Sequence, residues 1–125
     1  MNWLCQSLVE SPYSYCLCLT EKKFKKALKQ IGIKTNLPDF MKTGHANATV
    51  HWFDDTDPPA CIVCLGDRSK VSTLQVYSLL VHEAVHIWQC IKRHIGEDEP
   101  SKEFEAYSIQ RISQSLMYEY KEQKR

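Results

Sequence analysis

The sequence predicts a single-domain α+β fold, with three main helices and a short, mainly antiparallel sheet. Two strand-like runs flank a turn-rich break, and three stretches carry apolar residues at helical spacing. A length of 125 residues suits one core, and neither a repeat nor a long linker divides residues 1–125.

In chain order, residues 1–19 mix aromatic and aliphatic side chains around Ser11-Pro12. Residues 13–19 alternate in size and suit a short strand or an extended lead-in. Thr20 can cap a helix, although Lys23 stands where a capping box wants Glu. Phe24, Ala27, Leu28 and Ile31 form that helix's apolar stripe. Lys22, Lys23, Lys25, Lys26 and Lys29 read as its solvated face, and Gly32 stops it. Residues 33–46 connect to a strand, Ala48–Phe53, with Ala48, Val50 and Trp52 on one face and Thr49, His51 and Phe53 on the other. A break of about six residues leads to a second strand, Ala60–Leu65, so the two can pair as a hairpin.

A long helix then starts at Ser72 or Thr73 and runs to about His94 or Ile95. Its apolar residues cover most of the circumference, as in a buried helix. Gly96 to Pro100 make the turn into a last helix over residues 101–120, with Pro100 in its first turn.

Composition excludes several function classes. Sixteen basic and fifteen acidic residues leave a formal charge of +1, without the basic footprint of a nucleic-acid binder. No apolar run is long enough to span a membrane. The N-terminus lacks the basic start and apolar centre of a Sec signal, so a cytoplasmic location is expected. In that compartment the six cysteines are expected to be reduced and mostly buried.

The chemistry concentrates in the long helix, at His82-Glu83-Ala84-Val85-His86. Histidines four apart stand one turn apart on one face and can offer two nitrogens to one ion. Glu83 is rotated by about 100° from His82, within reach of a water on that ion. Two neutral nitrogen donors beside a carboxylate base form a zinc hydrolase arrangement.

A third donor is sought on the last helix. Ile109, Ile112 and Leu116 define its core stripe, and Glu105 lies on that stripe one turn earlier. Glu103 falls on the other side, with Tyr107, Gln110 and Gln114, so helical geometry selects Glu105 as the buried carboxylate. The alternative for Glu105 is an ion pair with Lys92 or Arg93. Cys61-x-x-Cys64 with Cys16-x-Cys18 is a weaker candidate, as a four-thiolate site or, for the C-x-x-C alone, a redox pair. His45, His51 and His94 read as ordinary histidines, with His51 a candidate to face the cleft.

H-E-x-x-H, eighteen residues and Glu105 together resemble the gluzincin metallopeptidases, and Glu105-Ala106 is similar to the pair at the third ligand of thermolysin-like members. The resemblance covers roughly residues 79–109. Residues 80–89, with Gly96-Glu97 and residues 103–107, also resemble small uncharacterised proteins of tailed phages and prophages, which would place the chain in a host cytoplasm or a virion. The gluzincin resemblance implies a minimal zincin core and a Zn2+ ion on His82, His86 and Glu105. It also implies Glu83 as general base and a peptide or protein substrate. An edge strand would line the cleft, and Ala48–Phe53 is the candidate to take up a peptide along its free edge.

Two departures stand out. The acidic residue that in thermolysin-like enzymes stands four after the third ligand and orients the first histidine is here Ile109, so any such partner must come from elsewhere. The usual C-terminal domain with its oxyanion donor is not expected within residues 1–125, leaving Tyr107, Tyr118 or Tyr120 as alternatives. The competing reading is a non-catalytic, zinc-stabilised binding or assembly protein.

Overall fold

A computed structural model describes residues 11–41 and 48–124. The elements run β1 (Ser14–Cys18), α1 (Glu21–Gln30), β2 (Ala48–Phe53), β3 (Ala60–Leu65), α2 (Thr73–His94) and α3 (Lys102–Gln123). Three helices and one small sheet make the expected α+β fold. The sheet is mixed rather than mainly antiparallel. Its order is β1-β3-β2, with β2 antiparallel and β1 parallel to the central β3.

β2 and β3 form the expected hairpin, with Phe53 opposite Ala60 and Ala48 opposite Leu65. Every residue of β3 is buried because helices cover both of its faces, which explains its unbroken apolar run. On one face α1 packs Phe24, Ala27 and Leu28 onto Cys16, Cys18, Ile62 and Cys64. The other face meets α2 and α3 through Tyr15, Leu17, Cys61, Val63 and Leu65.

Local signals set the helix ends. Thr20 Oγ1 accepts from Lys23 N at 3.2 Å, and Gly32 follows α1 at φ +86°. Ser72 and Gln75 complete a capping box at the start of α2. Gly96, at φ +75°, turns the chain after α2, a conformation that favours glycine. Ser101 caps α3, so Pro100 precedes the cap rather than occupying the first turn. The last helix also runs one turn further than expected, to Gln123, whose amide bonds the β1 carbonyl of Leu17 at 2.7 Å.

α3 lies along α2 and reaches β1, so it covers one flank of α2. Trp88 meets Phe104 edge-on, and Tyr77 meets Tyr120 in the same way. The opposite flank turns towards β2, where His94 packs on Tyr13 and Tyr13 on Trp52. No helix among the described residues is long and apolar enough to cross a membrane.

Candidate metal centre

The middle of α2 is anchored by Leu80, Ala84, Ile87 and Ile91, which face the core. With that face fixed, helical geometry turns His82 and His86 outwards, about 40° apart round the axis. Their Nε2 atoms lie 3.2 Å apart, with the rings nearly perpendicular at 77°. Glu83 sits at the margin of the buried face, only 7% exposed, and its Oε1 is 3.8 Å from His82 Nε2. One donor atom from each of the three residues falls within 4.8 Å of the others.

Burial pushes the Glu83 carboxyl above the usual carboxylate range, and the nearby His82 and His86 pull it partly back. A carboxyl beside two imidazoles is placed both to accept and to release a proton. The histidines themselves are solvent-exposed, so an ion and a substrate can reach them. Two nitrogen ligands about 2.05 Å from a tetrahedral ion stand roughly 3.3 Å apart. The 3.2 Å separation of the two Nε2 atoms therefore fits a shared ion.

Glu105 is not brought to this group. Its Oε2 accepts from Trp88 Nε1 at 2.9 Å and lies 3.6 Å from Lys92 Nζ. The Trp88 bond, with Lys92 adding, holds the carboxyl below its ordinary range. The ion pair with Lys92 is thus the contact that forms, while Arg93 turns to Cys90 Sγ at 3.4 Å. Two geometric reasons account for it. Trp88 and Lys92 lie about 120° round α2 from the histidines, on the flank that α3 covers. Along the axis, α3 passes Lys92 at Glu105 and Tyr77 at Tyr120, so the histidines stand level with the middle of α3 rather than its first turn.

The tyrosines considered as oxyanion donors are on α3 as well. Tyr107 and Tyr118 are exposed, and Tyr120 is buried against Tyr77, all on the helix that covers the other flank of α2. His51 does not face the cleft. It points to the α1 side of the sheet, between Phe24 and Phe53, with Nε2 3.1 Å from the carbonyl of Phe40. His45 lies outside the described residues. Cys16, Cys18 and Cys64 face α1 while Cys61 faces α2, so alternation along the strands keeps the four sulfurs from one centre. All five described cysteines are free.

The motif reading did not single out Gln89. Its Oε1 lies 3.1 Å from His86 Nδ1. The available signal was its position three residues after His86, on the same exposed face.

No protein-family model, curated protein or solved structure matches this chain.

Proposed function

We propose that this protein is a zinc-dependent metallopeptidase in which His82 and His86 hold the ion and Glu83 is the general base. The observation that carries the reading is the convergence of these three side chains within 4.8 Å, the two histidines on the exposed face of α2 and Glu83 buried at its margin; α2 is amphipathic rather than buried all round, with Leu74 and Val81 exposed. When bound, zinc would supply Lewis acidity towards a carbonyl oxygen and a water. Glu83 would accept the proton of the attacking water and return it to the leaving nitrogen. Its burial beside the two imidazoles suits that two-way transfer. Glu83 shares its side of α2 with Cys90 and His94, the side turned towards β2, which supports the gluzincin-like placement of a strand beside the base. Glu105 is left out of the ligand set because Trp88 and Lys92 hold it.

That last contact favours a second reading. With Glu105 engaged elsewhere, Glu83 is the carboxylate within reach, and as a third ligand it would leave no base. The chain would then be a metal-stabilised binding protein. One variant separates the two. Under the peptidase reading Glu83→Gln keeps zinc affinity and loses cleavage of a peptide library; under the binding reading zinc affinity itself falls. Undiminished zinc in His82→Ala would sink both.

A further inference from the structure

We propose that Gln89 is the positioning residue of this centre: its side-chain carbonyl holds His86 in the tautomer with the proton on Nδ1 and the lone pair on Nε2. An amide oxygen only accepts, so the 3.1 Å contact from Gln89 Oε1 requires a proton on His86 Nδ1. A neutral imidazole carries one such proton, which leaves Nε2 bare. That bare nitrogen faces His82 Nε2 at 3.2 Å. In the metal-free chain His82 must then supply the proton of that contact. A directed series follows: His82 Nε2–H to His86 Nε2, and His86 Nδ1–H to Gln89 Oε1.

The role rests on the metal reading above for its purpose, but its geometry stands alone. The other described contacts of His82 lie inside the motif, with His86 and Glu83. His86 is the histidine with an acceptor outside the motif. Gln89 reaches it from one turn along the same helix, so no tertiary movement disturbs the pair. Gln89 thus gives the second histidine of the motif, His86, an orienting partner from within α2. A ring held with its lone pair on Nε2, the nitrogen turned to His82, needs no change of tautomer to bind a metal there. Loss of such a partner costs roughly 10–100-fold in metal affinity.

The test uses the full chain, with Gln89→Met and Gln89→Glu as variants. Gln89 is exposed on a long helix, and both replacements are good helix formers, so the fold is retained. Nitrogen-15 NMR of the imidazole rings in the metal-free protein reads the tautomer, and zinc titration reads affinity. The wild type should carry its His86 proton on Nδ1. In Gln89→Met the proton should shift towards Nε2 and zinc affinity should fall by roughly 10–100-fold, and Gln89→Glu should restore both. A wild-type proton on Nε2, or a tautomer unmoved in Gln89→Met, overturns the proposal. If the wild type binds no zinc, the metal reading fails; the tautomer shift then decides Gln89 alone, its presence supporting the role and its absence removing it.

Discussion

Glu83 is held between opposed demands, since burial disfavours its charge and two imidazoles favour it. A carboxyl in that position is costly to a fold that gains nothing from it, and that cost is the residue-scale argument for chemistry. Replacing Glu83 by Gln keeps the shape and removes the proposed base. Peptide cleavage should then drop by roughly 10²–10⁴-fold, measured as kcat on a fixed peptide, with the unfolding midpoint no lower than in the wild type. A second residue-scale effect concerns alkaline pH. Burial raises the thiols of Cys61 and Cys64 above their ordinary value of 9.0; that of Cys16 is raised first by its bond to Cys18 and then by burial. Tyr13 is raised above 10.0 by burial and by donating to Asp54 Oδ1 at 2.6 Å. For each group the folded chain keeps a proton that the unfolded chain loses. Their stabilisation is therefore complete below pH 9 and declines as pH rises above 9 for the thiols and above 10 for Tyr13. Urea unfolding between pH 7 and 11 should show that decline, and Tyr13→Phe should flatten its upper part.

Among the elements, α2 carries the site and α3 holds α2 in place. Trp88 joins them, buried against Phe104 and donating to Glu105. Trp88→Ala should cost about 3–5 kcal/mol in chemical denaturation, the range for deleting a buried aromatic. Glu105→Ala tests a different point. It should loosen the start of α3 and leave zinc affinity at the wild-type value, whereas a large loss of affinity would return Glu105 to the ligand set. The helices were readable from their own residues: the Ser72 cap, the stripe through Leu80, Ala84 and Ile87, and the turn at Gly96. Glu105 lies on the flank that meets α2, yet its side chain is 38% exposed rather than buried, because a stripe specifies a direction and neither a depth nor a partner. What it meets depends on how far α2 runs before the chain turns, and that length sets Lys92 rather than His86 beside it.

At the scale of the molecule, one sheet separates two cores, with α1 on one side and α2 with α3 on the other. β3 ties them together because each of its faces belongs to a different core. The layers hold without a cross-link, as the five described cysteines are free. A reducing agent should therefore leave the thermal unfolding midpoint unchanged; a fall of several degrees would point to a disulfide that stabilises the chain.

The sequence by itself determined what is local. Helix periodicity puts His82 and His86 on one face, side-chain caps mark the helix starts, and strand alternation assigns Val50 and His51 to opposite faces of the sheet. It also contained the pair His86 and Gln89, which needs only one helical turn. Tertiary structure decided what depends on long-range register. β1 lies parallel to β3 and β2 antiparallel to it, so the sheet is mixed. His51 faces α1 rather than a cleft because β2 presents that face to the second core. Glu105 meets Trp88 and Lys92 because two helices joined by a short turn pair first turn with last. Spacing along a chain fixes neighbours within one helix, and only packing between helices fixes which side chains meet across them.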